Sequence, residues 1–335
     1  MTSMIFAKAI MRPGLLAVAA VSIVAVGITT PASAGGYPDH PVRIIVPYPA
    51  GGGTDTVARA IAARLSEKWG QNAYIENKAG AGTAIGGEAA AKATPDGYTL
   101  LFSDSSTFVI NPHAYTHLPY DPLKDFEPVS LVVRLSPVMA ISNNTPATNL
   151  KDLIAYMKAN PGKLTYASPG IGTYTHIAME YFKHEAGVDM LHVPYKGSAP
   201  AMTDLLAGRV NAYFVTYGVF DANDKAGRLK VIGVATPKRL AVRPDIPAIN
   251  EYVPGYTIDV WFGMAAPKGT PVEILDKVHN DIAEILKEPS FVEKFITPQA
   301  YIAGDLTRAQ FAEQMKSDFA KWAKLVAIAK VKIDR

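Results

Sequence analysis

A β-branched run and a helical run are joined at residues 42–69 by two prolines, three consecutive glycines and a Thr-Asp pair, and this junction constrains the fold most. Val42 to Val46 reads as a short buried strand. From Val57 the period becomes helical. Val57, Ile61 and Leu65 share a face with Ala58 and Ala62, and Trp69-Gly70 closes the run. The loop between them carries Tyr48, Ala50, Gly51, Gly52, Gly53, Thr54 and Asp55. A strand, a glycine loop and a helix in succession point bare N–H groups and the positive end of a helix dipole at one spot, a geometry that binds anions. The loop holds no Lys or Arg, so an anion there is held by N–H and hydroxyl donors. No Lys follows the glycines, as a Walker loop needs, and the G-x-G-x-x-G fingerprint is absent. A carboxylate fits better. The plainer alternative is a tight βα turn whose glycines only allow positive φ. Asp55 reads as a first-turn residue whose carboxylate takes N–H groups and stiffens the loop.

The rhythm continues with strands at Ala73–Glu76 and Tyr98–Phe102 and a helix at Ile85–Ala93. Such alternation means α/β layers with mostly parallel sheets, whose ligands sit beyond the carboxyl ends of the strands. The polar run from Ser103 to Thr107, with Ser105 at its centre, leaves such an end. The opening pattern then returns. Leu164–Ala167 is a strand, a loop holds Ser168, Gly170, Gly172, Thr173 and Tyr174, and Thr175–Ala186 is a helix with His176 in its first turn. Two junctions of this kind suggest two cradles facing each other. His176 either orients its loop or donates to a ligand. Lys196 is a cation beside a later loop, and either contacts a second ligand charge or sits solvated. Tyr48, Phe108, Tyr174, Tyr217 and Phe262 either admit an aromatic acid or pack the lobes. The apolar stripe Phe311, Met315, Phe319 and Trp322 is core packing.

Residues 1–34 read as a secretory signal. Lys8 and Arg12 precede an apolar stretch from Leu15 to Ile28, and Ala32-Ser33-Ala34 is a small-residue cleavage site. Export to the periplasm with cleavage after Ala34 is expected. The apolar stretch is shorter than the roughly 20 residues of a membrane span. About 300 residues remain, room for two domains at about 150 each. A net charge of +3 argues against a nucleic-acid partner. The chain has no cysteine, which excludes disulfides and thiolate metal sites. His113 and His117 lack an acidic third ligand, so no metal and no cofactor is expected. Ser168, His176 and Asp204 could be arranged as an exported serine hydrolase, the alternative reading, although no G-x-S-x-G elbow is present.

The chain resembles the Bug-type receptors, the solute-binding subunits of tripartite tricarboxylate transporters. The resemblance rests on 46–55, Glu76-Asn77-Lys78-Ala79-Gly80-Ala81-Gly82, Pro95-Asp96-Gly97-Tyr98-Thr99-Leu100 and Leu118-Pro119-Tyr120-Asp121-Pro122. Tyr166-Ala167-Ser168, Gly170, Gly172, His176, 192–197, Pro244-Asp245-Ile246-Pro247 and 266–271 complete it. It implies a non-enzymatic, periplasmic, two-lobed α/β binding protein of type II-like build. Lobe one would hold 35–137 and 263–335, and lobe two 138–262. It also implies that a small organic mono- or dicarboxylate, aliphatic or aromatic, is gripped between the loops at 50–55 and 168–176. A monomer would then deliver that ligand to the membrane subunits. Thr173 stands where serine is usual, and 103–108 falls in a variable part of the pattern that tunes the ligand.

Overall fold

The computed structural model describes residues 1–2 and 36–334, so the expected signal segment lies, past its first two residues, outside them. Among the described residues no helix is long and apolar enough to cross a membrane. From Val42 the chain alternates β1 (Val42–Val46), α1 (Gly53–Trp69), β2 (Ala73–Asn77), α2 (Ala84–Ala91), β3 (Thr99–Asp104), α3 (Asn111–Ala114) and β4 (Phe126–Arg134). It then builds β5 (Pro137–Ser142), α4 (Leu150–Ala159), β6 (Thr165–Ser168), α5 (Tyr174–Ala186), β7 (Leu191–Pro194), α6 (Ser198–Leu206), β8 (Ala212–Thr216), α7 (Tyr217–Lys225) and β9 (Leu229–Val234). It closes with β10 (Trp261–Pro267), α8 (Val272–Ile285), α9 (Pro289–Phe291), β11 (Ile302–Ala303) and α10 (Arg308–Ala329).

These strands form two sheets, ordered β11-β4-β10-β3-β1-β2 and β7-β6-β8-β5-β9. Four of the five residues of β1 are fully buried because helices cover both faces of a central parallel strand. Ile44 stands opposite Ile75 on one side and Leu100 on the other. The sheets are mixed where mostly parallel ones were expected. β10 runs antiparallel between β3 and β4, with Met264 opposite Phe102 and Ser130, and β5 runs antiparallel between β8 and β9. A strand that brings the chain back into a sheet without a crossover helix must enter against its neighbours.

The chain crosses between the sheets twice, from Arg134 to Pro137 and between Val234 and Trp261. The two crossings are laced together. Leu135 N–H donates to Val260 O at 2.8 Å, Ala235 N–H to Pro137 O at 2.9 Å and Ile258 N–H to Ala235 O at 3.0 Å. Local signals fix the helix ends. Asn149 Oδ1 caps α4 by accepting Asp152 N–H at 2.9 Å, and α1 and α5 stop on Gly70 and Gly187 in left-handed conformation. Phe311, Met315 and Trp322 of α10 are buried, with Phe311 edge-on to Trp261 at 5.0 Å. Phe108 stacks on the same Trp261 at 5.7 Å, which makes it a core ring and removes it from the candidate ligand contacts.

The polar run at 103–107 departs most from its sequence reading. It is wholly buried, with Ser103 and Asp104 completing β3 and a wide, π-helical turn following. Burial of so many polar groups is tolerated because they bond to one another and to the neighbouring backbone. Ser103 Oγ lies 2.6 Å from Thr107 Oγ1, which donates to Thr83 Oγ1 at 2.8 Å.

Candidate functional site

A hollow of about 70 Å³ lies between the two sheets, beyond the carboxyl ends of strands from both. Gly52, Gly53 and Thr54 at the start of α1 line it, as do Tyr174 and Thr175 of α5, Ser198 and Ala199 of α6, and Thr216, which caps α7. Four helix N-termini thus meet at one cavity. Each brings N–H groups that precede the i→i−4 ladder and the positive end of its dipole. On α1 the first rung is Thr56 N–H to Gly52 O at 2.9 Å, which leaves the N–H groups before it outside the ladder. Sequence reading found two of the four. The α6 and α7 starts also follow strand ends, at Pro194 and Thr216, but only the sheet order shows that β7 and β8 flank β6.

Asp55 is 3% exposed and braces the loop from behind. Its Oδ2 accepts Gly51 N–H and Arg59 Nε–H, both at 2.9 Å, and its Oδ1 accepts Asn77 Nδ2–H at 2.9 Å. Burial works against its charge, yet Arg59, the Gly51 N–H and Asn77 hold its pKa below the usual carboxylate value. Gly51 N–H is therefore spent inside the loop, and the donors facing the hollow begin at Gly52.

Asp104 at the end of β3 also lines the hollow, and the other charged residue there is the exposed Lys196 at the rim. Asp104 is 2% exposed. Its Oδ2 accepts Tyr48 O–H at 2.7 Å and its Oδ1 accepts Ser106 N–H at 2.8 Å. Burial pushes its pKa up, opposed by the Tyr48 hydroxyl and by the hydroxyl and N–H of Ser106, and burial beside Asp104 pushes the Tyr48 phenol well above its ordinary value. Ser106 Oγ in turn accepts Tyr174 N–H at 2.9 Å, a bond from one sheet's loop to the other's helix. Tyr48, Tyr174 and Phe262 supply aromatic surface to the cavity.

Of the residues expected to form the site, Tyr48, Ala50, Gly52, Gly53, Thr54 and Tyr174 line the hollow. The others stand elsewhere. Ser105 is fully buried and its Oγ accepts Trp261 N–H at 3.2 Å, tying the end of β3 to β10, while its neighbour Asp104 lines the cavity. Strand alternation ends at Asp104 because Ser105 already has helical backbone, at φ −53 and ψ −23, and that switch could not be read from the sequence. Tyr217 packs in the core of the second sheet, with its O–H given to Asp221 Oδ1 at 2.5 Å. Thr173 is buried as the residue before α5, its Oγ1 donating to Gly170 O at 2.7 Å. Gly170 lies with Thr173 on a neighbouring groove, and Gly172 packs against the C-terminal tail, where a Cβ would stand 2.6 Å from Ile333 Cδ1. At this second junction Tyr174 and Thr175 line the hollow, and Gly170 and Gly172 do not.

Ser168, His176 and His192 form a separate buried set. Ser168 Oγ lies 2.6 Å from His192 Nε2, His192 stacks on His176 at 3.9 Å and on Tyr166 at 4.8 Å, and His176 Nδ1 accepts Gly172 N–H at 3.3 Å. Burial lowers the His176 pKa to about 4 and that of His192 to about 3, with the charge of Lys183 adding to both. The hydrolase alternative fails on this geometry. Ser168 is fully buried and partnered by His192 instead of His176, and Asp204 is bound to Arg209 Nη1 at 2.7 Å and to the Tyr195 hydroxyl.

The fold and the cavity define a two-lobed α/β solute-binding protein. The family model of the tripartite tricarboxylate transporter family receptor matches residues 57–329, and the chain belongs to that family of periplasmic solute-binding receptors, not to an enzyme family. It is 35% identical to the protein BugT of Bordetella pertussis over 317 residues, which is 93% of this chain and 96% of BugT. Among solved structures it resembles the R. palustris protein Rpa4515 with adipate, at 33% identity and a TM-score of 0.85, covering 89% of this chain and all of that one. It also resembles MatC from Rhodopseudomonas palustris with bound malate, at 28% identity and a TM-score of 0.82, covering 87% of this chain and all of MatC.

Proposed function

We propose that this receptor captures a small organic carboxylate in the hollow between its sheets and presents it to the membrane subunits of a tripartite transporter. The observation that carries the reading is the meeting of four helix N-termini at a cavity whose sole cation sits at the rim. Such a set of N–H donors holds a carboxylate without an ion pair. Charge-assisted hydrogen bonds contribute about 1.5–3 kcal/mol each. Three or four of them reach the roughly 8 kcal/mol of a micromolar site. Adipate and malate, which occupy the two related structures, support an acid as the ligand class. The ligand-contact set proposed is Tyr48, Gly52, Gly53, Thr54, Tyr174, Thr175, Ser198 and Thr216. The three rings at the cavity extend the class to aromatic acids.

The two laced crossings support lobes at 35–137 with 263–335 and at 138–262, shifted so that Trp261 and Phe262 stay with the first sheet. Ligand contacts from both lobes then favour the closed state. The chain works as a periplasmic monomer after cleavage behind Ala34. Titration calorimetry with a panel of aliphatic mono- and dicarboxylates and benzoate-type acids tests the central claim. A micromolar Kd for at least one of them is expected. No heat from any of them, with no ligand-induced rise in Tm, would overturn it.

A further inference from the structure

The hollow is lined by features of both signs. The helix N-termini and Lys196 suit a carboxylate, while Asp104 lies in the same wall with 2% exposure and no cation bonded to it. Asp104 receives Tyr48 O–H on Oδ2 and Ser106 N–H on Oδ1, with the Ser106 hydroxyl as a third donor, and a carboxylate accepts about four hydrogen bonds. Accepting capacity therefore remains. A buried carboxylate without a cation is unfavourable, and a ligand carboxylate brought beside it adds like-charge repulsion. The aromatic rings of Tyr48, Tyr174 and Phe262 share that wall, and ring faces attract cations. An ammonium group satisfies both the acid and the rings.

We infer that Asp104 makes this site select carboxylates that also carry an ammonium group, amino acids or aminocarboxylates, over dicarboxylates of matched length. The ligand carboxylate lies on the helix N-termini and its nitrogen on Asp104. The inference rests on the receptor reading above and names the ligand class of that same cavity. It also gives the buried acid a use.

The test is calorimetry on the purified protein with length-matched pairs: ω-aminohexanoate against adipate, γ-aminobutyrate against succinate, and glutamate against glutarate. Wild-type protein is expected to bind the amino member of at least one pair about tenfold or more tighter than the diacid. Asp104→Asn removes the charge but keeps the shape, and is expected to bring that ratio to about one or below it. A ratio within one protein is internally controlled, and the wild-type ratio alone decides the matter should the variant fold poorly. Diacids binding as tightly as their amino partners in the wild type, or a preference that survives intact in a folded Asp104→Asn, overturns the selectivity and leaves the receptor reading standing. Binding of neither series overturns the selectivity, and the wider panel of mono-, di- and benzoate-type acids then decides the receptor reading.

Discussion

At the scale of single residues, Gly52 and Gly172 answer to different constraints. Gly52 has an ordinary negative φ, and a Cβ there would meet nothing closer than Pro49 O at 3.9 Å. A side chain at 52 enters the hollow at little cost to the fold. Gly172 sits at φ +82 with Ile333 in the way, so any substitution there strains the backbone and displaces the tail. Gly52→Val is accordingly expected to abolish carboxylate binding while its Tm stays within a few degrees of wild type, as read by calorimetry and thermal melts. Retained affinity in a folded Gly52→Val protein would remove the α1 start from the site. The glycine loop was legible as a candidate because its composition is local. Which of its glycines faces a ligand was not, since that depends on what the second sheet puts opposite.

Among the elements, β6, β7 and α5 are coupled by the column of Tyr166, His192 and His176, with Glu180 and Lys183 of α5 at its side. Both histidines titrate lower in the folded chain than the ordinary 6.5, near 4 and 3. The unfolded chain therefore takes up protons first as pH falls, and stability is lost between pH 6.5 and the folded values. His176 alone, 7% exposed, accounts for about 2 kcal/mol between pH 7 and pH 5. Urea denaturation across that range, above most carboxylate titrations, should show the decline in wild type and a flatter profile in His176→Gln. A wild-type stability that stays level from pH 7 to pH 5 contradicts the buried neutral pair. Helix and strand identities here were readable from apolar period, the Asn149 cap and the Gly187 stop. The stack was not, because His176 and His192 come from different elements and meet only when β6 pairs with β7.

For the whole molecule, the two lobes touch through glycines. A Cβ on Gly82 would stand 2.4 Å from Ile171 O of the opposite lobe, and one on Gly197 would stand 3.1 Å from Pro49 Cγ. Ser106 and Tyr174 bridge the lobes nearby, so the backbone approach at Gly82 belongs to the same contact between lobes. Gly82→Ala sets a methyl against a main-chain oxygen that has no rotamer to retreat to, at a backbone φ of +52. It is expected to weaken ligand binding about tenfold, or about 1.4 kcal/mol. Small-angle scattering should then show a ligand-saturated variant whose radius of gyration exceeds that of ligand-saturated wild type. Equal affinity and equal radius would mean that closure does not depend on this contact.

The sequence by itself determined the α/β alternation, the two glycine junctions, the helix caps and the family, because each is written in local periodicity, composition or ordered motifs. Only the tertiary structure decided that four helix N-termini share one cavity, that Asp104 lines it while Ser105 does not, and that Ser168 pairs with His192. Those facts follow from strand order, from two antiparallel returning strands and from where β3 gives way to helical backbone after Asp104. Such relations exist between segments distant in the chain, and no window of sequence contains them.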